Sequence, residues 1–87
     1  MIIEIEESAR KHGCKDCEIE YAVLHAVNYE QIPGRRGRLA FMFVGHPHRG
    51  ALDDDWLEVG VARWRDGTLR AFHAMRMTDN WWHLSKK

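Results

Sequence analysis

Read by the spacing of its apolar residues, the chain switches between helical and strand periodicity. "IIEI" (2–5) opens with a short strand signal. "EESARKHG" follows as one or two helical turns closed by Gly13, a residue suited to the left-handed position after a helix. Ile19, Ala22, Val23, Ala26 and Val27 recur at i, i+3, i+4, i+7 and i+8, which predicts a second helix with one apolar stripe. Asp16 is its expected N-cap, with Glu18 and Glu20 in the first turns, and Asn28 is its expected end. "QIPGRRGR" interrupts the pattern with Pro and Gly and reads as a loop. Leu39–Val44 is apolar on both faces, as a central strand is. Trp56–Arg65 and Thr68–Met77 then flank Asp66–Gly67, a strong hairpin signal. "TDNWWHLSKK" closes the chain with one expected helical turn. The order β-α-α-β-β-β predicts a single α+β domain over residues 1–87. In it, two N-terminal helices pack on one face of a small, mostly antiparallel sheet.

The hairpin carries a finer expectation. A two-residue turn at Asp66–Gly67 pairs Arg65 with Thr68, and the rest of the register follows. Leu57 with Arg76, Val59 with Ala74, and Val61 with Phe72 form the face meant for the second helix. Glu58 with Met75, Gly60 with His73, Ala62 with Ala71, and Trp64 with Leu69 fall on the other. Glu58 and His73 are diagonal neighbours on that second face, within reach for a long side chain, and Gly60 leaves room beside the imidazole. A carboxylate and an imidazole so placed are candidates for proton transfer. Trp56 and Trp64 on the same surface are candidates to stack on a base. The plainer alternative is an ordinary Glu–His contact on a half-covered face.

Composition narrows the class. With 87 residues, 45% of them apolar and four of them Trp, the chain suits one folded core and not disorder. Its longest apolar run, "LAFMFV", is far short of the ~20 residues of a membrane helix. The acidic start "MIIEIEE" lacks the positive region of a signal peptide, so a cytoplasmic location with reduced thiols is the expectation. Net charge is zero but unevenly spread. Residues 1–33 carry three Lys/Arg against seven acids, and residues 34–87 carry ten against six. That asymmetry suits an anionic partner for the C-terminal part.

Several short motifs compete for attention. Cys14 and Cys17 form a CxxC with His12 before it, but no second cysteine pair exists. A zinc site would have to recruit two histidines from His12, His46, His48 and His83. The CxxC also lies between two predicted helices and not after the strand of a βαβ unit, so the bland reading is two small fillers. "HPHRG" (46–50) with "DDD" (53–55) reads either as a hard-metal or zinc loop or, more plainly, as a mobile hairpin loop with Arg49 and His48 near the aspartates. "GRRGR" (34–38) reads either as a phosphate-contacting loop or as a solvated one. "RAFHAMRMTDNWW" (70–82) gathers Arg70, His73 and Arg76, and Arg suits bidentate phosphate binding. His73 and Arg76 fall on opposite sides of a regular strand, so a bulge or strand end near Met75 is expected to bring Arg76 round to the His73 surface.

Taken together, "ESARKHG…EIEYAV", "GRLAFMFVG" and "DWLEVGVARWRDGTLRAFHAMRM" resemble the BrnT-like toxins of bacterial type II toxin–antitoxin systems, within the broader RelE-like ribonuclease fold. The resemblance runs over about residues 4–80. It implies a metal-independent, cofactor-free endoribonuclease that cuts messenger RNA and is neutralised by a cognate antitoxin. The assembly would be a homodimer or a toxin–antitoxin hetero-oligomer, without a membrane. By motif, Arg10, Lys11 and His12 match the basic helix end of that family, and His73 and Arg76 match its last strand. His73, Glu58 and Arg76 are thus the expected catalytic set. Arg10, Lys11, His12, Arg63, Trp64 and Arg70 are the expected RNA contacts. Two other readings stay open: a non-catalytic protein-binding module that presents "NWWH", and a small zinc module built on Cys14 and Cys17.

Overall fold

A computed structural model describes residues 3–34 and 38–85. Within "GRRGR", positions 35–37 lie outside the described residues, as does Ile2 of the first strand signal. Among the described residues five strands form one mixed sheet, in the order β1-β5-β4-β3-β2. These are β1 (Ile3–Ile5), β2 (Asn28–Ile32), β3 (Leu39–Gly45), β4 (Leu57–Arg63) and β5 (Leu69–Arg76). β1 lies parallel to β5, through Ile3–Leu69 and Ile5–Ala71, and the other neighbours are antiparallel. The architecture is therefore α+β with few helices.

The helices depart from a matched N-terminal pair. α1 (Glu7–Arg10) is a single turn against β5. The Ser8 hydroxyl donates to the Phe72 carbonyl at 2.6 Å, so α1 occupies backbone of β5 that β1 leaves unpaired. Gly13 follows the turn at φ +83°, a conformation that costs glycine little. α2 (Asp16–Leu24) is the one longer helix among the described residues, and it packs against β3 and β4. Its N-cap is Lys15, one residue before the expected Asp16. Glu18 reaches back to accept from the Lys15 N–H at 2.9 Å. α2 stops at Leu24, so Ala26 and Val27 continue its stripe in sequence only. The Val27 N–H already bonds the Val44 carbonyl.

β2 has no counterpart in the sequence pattern. Its residues are intermediate or exposed throughout, and "NYEQI" has no apolar alternation because an edge strand on this side leaves both faces near water. Gly45, at the end of β3, fixes how α2 crosses the sheet, since a Cβ there would collide with the Ala22 carbonyl.

Two layers of side chains result. Ile3, Ala9, Ile19, Ala22 and Val23 pack with Leu57, Val59, Val61, Ala71 and Ala74 on the helix side. On the outer face, Ala40, Met42 and Val44 pair with Ala62, Gly60 and Glu58. A 3₁₀ segment, Asp79–Ser85, covers the β2–β3 part of that outer face with buried Leu84. It is longer than the single turn expected, and His83 bonds Glu30 across it at 2.9 Å.

The hairpin differs from expectation twice, and the differences cancel. The Trp64 N–H bonds the Thr68 carbonyl, and the Gly67 N–H bonds the Trp64 carbonyl. The loop is therefore three residues, 65–67, with Gly67 at φ +86°. Thr68 N–H donates to Asp66 at 2.8 Å and, with other contacts from Thr68, holds that carboxyl below its ordinary range. The longer loop moves the pairing by one residue, giving Val61–Ala71, Ala62–Arg70 and Arg63–Leu69. Between Gly60 and Val61 the register shifts again. Phe72 is the extra residue of a β-bulge, and beyond it Gly60–His73, Val59–Ala74, Glu58–Met75 and Leu57–Arg76 stand as expected.

Candidate functional site

At the bulge, a Cβ built on Gly60 would meet the Phe72 ring at 2.8 and 2.9 Å and the His73 Cβ at 3.2 Å. Phe72 and His73 therefore both lean over Gly60 on the outer face. This is the re-aiming that bulges produce beside functional sites. The absent side chain at position 60 is what makes room for them.

Beside Gly60, Glu58 is only 3% exposed. Its Oε1 accepts from the Thr78 N–H and hydroxyl, both at 2.7 Å, and its Oε2 lies 2.8 Å from His73 Nε2. A carboxylate accepts only, so with Glu58 ionised Nε2 carries the proton and donates. The lone pair of neutral His73 is then on Nδ1, for which no protein partner is found among the described residues. The His73 side chain is 28% exposed. An imidazole oriented by a buried carboxylate, with its basic nitrogen unbound, is an arrangement suited to general base work. At 3% exposure Glu58 is placed to orient His73 and not to meet a ligand itself, unlike the direct catalytic group expected.

The exposed His12, just beyond α1, brings its ring to 6.0 Å from that of His73, edge to face. Lys11 beside it is exposed. Arg10 is not available in the same way. Its guanidinium grips Asp16 through two bonds of 2.9 Å and Glu7 through one of 2.7 Å. These bonds tie α1 to the start of α2, raise the arginine further above its ordinary range and hold the Asp16 carboxyl below its own.

Arg76 does not reach the His73 surface through a bulge near Met75. The bulge lies on the other side of His73, so the strand from His73 to Arg76 is regular and the two side chains point to opposite faces. Arg76 pairs with Asp55, and its charge is felt at Cys14, on the helix side. It does not join the His73 site.

The expected RNA contacts divide similarly. Arg63 pairs with Leu39 and with Leu69, which packs on the helix-side core, and so it lies opposite Trp64 and Arg70. Trp64 does not offer a free ring for a base. Arg38 stacks over it at 3.2 Å from the ring centroid and Arg70 at 4.1 Å. Trp56 is likewise stacked, on His46 at 3.8 Å. Arg38 is the residue that sequence reasoning passed over. Its signal was the stretch "GRRGR", but nothing in that stretch indicates which arginine meets Trp64.

Cys14 is half-buried and Cys17 exposed, both as free thiols. Burial pushes the Cys14 thiol up, Glu18 adds to this, and Arg76 opposes it. Among the described residues, which include every candidate zinc ligand, no group of three or more His, Cys, Asp or Glu could hold a metal ion. No helix among them is long and apolar enough to cross a membrane. Comparison with family models, with curated proteins and with solved structures gives no match.

Proposed function

We propose that the protein is a metal-independent endoribonuclease acting on messenger RNA, the toxin of a bacterial toxin–antitoxin pair, built on a RelE-like domain. The observation that carries the reading is the Glu58–His73 pair with Nδ1 unbound at the surface. His73 Nδ1 takes the proton of a ribose 2′-hydroxyl, and that oxygen attacks the adjacent phosphorus. The bond from phosphorus to the 5′-oxygen breaks, leaving a 2′,3′-cyclic phosphate. His12, as imidazolium, delivers the proton that the departing 5′-oxygen needs. The two imidazole rings lie 6.0 Å apart, and Lys11 adds positive charge for the phosphorane. The resemblance to BrnT-like toxins supports the same chemistry and adds the antitoxin partner.

The test is cleavage of single-stranded RNA by the purified protein in EDTA. Cleavage is expected to end in a cyclic phosphate and to be lost in His73→Ala. In His12→Ala it should fall at least roughly tenfold, while Arg76→Ala stays within about threefold of the parent. RNA left intact by folded protein refutes the enzyme. A second reading, a protein-binding module, draws on Trp82, which is 51% exposed in the C-terminal segment. Calorimetric binding of the neighbouring gene product by protein inert toward RNA would select it.

A further inference from the structure

On the outer face, next to the His73 site, lies a groove of about 550 Å³. Ile32, Ala40, Ala62 and Phe72 give it apolar walls, and Arg38, Trp64 and Arg70 line one part of it. Its contents are chemically unusual for a surface with no task. Two guanidiniums lie against one indole, which brings two like charges close together. The Trp64 Nε1 is buried without a hydrogen-bond partner, and so is Arg70 Nε. The latter lies 3.1 Å from Glu4 but not in hydrogen-bond alignment, so that contact is coulombic and, between half-exposed groups, weak. Among the described residues no carboxylate pairs with Arg38. Glu6, exposed at the rim, is the one acid among the described residues that line the groove.

Two planar cations beside an apolar wall suit a ligand that is anionic and partly flat. Arg forks match phosphate oxygens bidentately. The location adds to this. Phe72, in the groove, and His73, in the proton-transfer site, are the two residues of one bulge, and both lean over Gly60. Groove and site are thus one continuous surface. From His73 to Arg70 along β5 is about 10 Å at the rise of a strand, close enough for both to meet one short stretch of an extended strand of RNA.

We propose that this groove is a subsite for a nucleotide flanking the scissile phosphate of single-stranded RNA. Arg38 and Arg70 hold its phosphate, the apolar wall receives its base, and Trp64 is a positioning residue that keeps the two guanidiniums fixed. The proposal rests on the ribonuclease reading and deepens it, and its test separates the two.

Binding is measured by anisotropy of a labelled RNA decamer in a His73→Ala background, so that the RNA stays intact. Arg38→Gln with Arg70→Gln should weaken binding roughly tenfold or more, and should lower the salt slope by about 0.7, one phosphate on a single strand. Glu6→Gln should tighten it, a result that a purely structural role for the groove does not give. With His73 restored, the double variant should raise KM for the decamer by a larger factor than it lowers kcat. The single changes Arg38→Lys and Arg70→Lys keep the charge and guard against misfolding. They should fall between parent and double variant, with an unaltered near-ultraviolet circular dichroism spectrum.

Unchanged binding and salt slope in a folded double variant overturn the subsite, even if His73 proves essential. Loss of binding in the double variant, alongside full cleavage by His73→Ala, overturns the proton-transfer reading and keeps the groove. If polyglutamate is held through Arg38 and Arg70 and RNA is not, the groove belongs to an acidic protein partner and the proposal fails.

Discussion

Replacing Glu58 by Gln tests the proton arrangement with one atom changed. Oε1 of Glu58 accepts from the Thr78 backbone N–H, a group that only donates, and from the Thr78 hydroxyl. The amide of the variant side chain must therefore keep its oxygen toward Thr78, which points its NH₂ at His73. Nε2 can then only accept, so the imidazole proton moves to Nδ1 and the lone pair is turned inward. Glu58→Gln should cost activity about 10³–10⁴-fold, the scale known for a triad histidine held in the wrong tautomer. Stability should change far less. Three hydrogen bonds lose their charge assistance, on the order of 1 kcal/mol each at most. Relief of burying a carboxylate at 3% exposure offsets part of that. A net loss of about 1–2 kcal/mol, or roughly 4–15 °C in Tm for a domain this small, is expected. Nitrogen-detected NMR of His73 reads the tautomer directly, and RNA cleavage in EDTA reads the consequence. A variant that keeps the proton on Nε2, or that has the switched tautomer and yet cleaves like the parent, refutes the reasoning.

Other consequences follow from the same geometry. Gly60→Ala places a methyl 2.8–2.9 Å from the Phe72 ring and 3.2 Å from the His73 Cβ. It should cost about 1–3 kcal/mol in urea denaturation and displace the His73 ring, with chemical-shift change confined to the bulge. Arg10→Ala should weaken the protein at neutral pH and matter progressively less in acid. The Asp16 carboxyl, held below its ordinary range by Arg10, contributes stability above the unfolded carboxylate range, and this is lost as pH falls through the lowered value. Parallel denaturation of both proteins at neutral and acid pH checks it. Iodoacetamide should modify the exposed Cys17 first, with Cys14 reacting appreciably only at higher pH than an ordinary thiol, as peptide mapping would show.

The elements best legible in the sequence were those that bury at least one full face. α2, β3, β4 and β5 all announced themselves through spacing, and the pairing of Gly60 with His73 followed from the Asp66–Gly67 turn. That last inference succeeded for an incomplete reason. The loop has three residues and not two, and the Phe72 bulge restores the register before His73 is reached. No local pattern in "TLRAFHAM" marks Phe72 as the extra residue. Its signal is the partner, Gly60, on the facing strand, and only the paired register brings the two together. β2 was illegible because an edge strand exposed on both faces need not alternate. Arg76 was misplaced because the direction of a side chain depends on which side of it a bulge falls. Arg10 looked like a phosphate ligand by residue type, but its carboxylate partners, three residues before and six after, claim its fork.

The bulge has a meaning for how this hairpin tolerates change. It divides the β4–β5 ladder into two reading frames, offset by one residue. The frame nearer the loop follows the length of that loop. The frame beyond the bulge follows the anchoring of Glu58 to Thr78 and of Met77 to Trp56, at the far end. A single residue gained or lost between Trp64 and Thr68 would be absorbed at Phe72, as a second bulge residue or as none, and His73 would keep its aim. The same insertion between His73 and Thr78 has no such buffer, and it would turn the imidazole into the helix-side core. Length variation in this protein should therefore be free at the hairpin tip and forbidden in the few residues after the histidine.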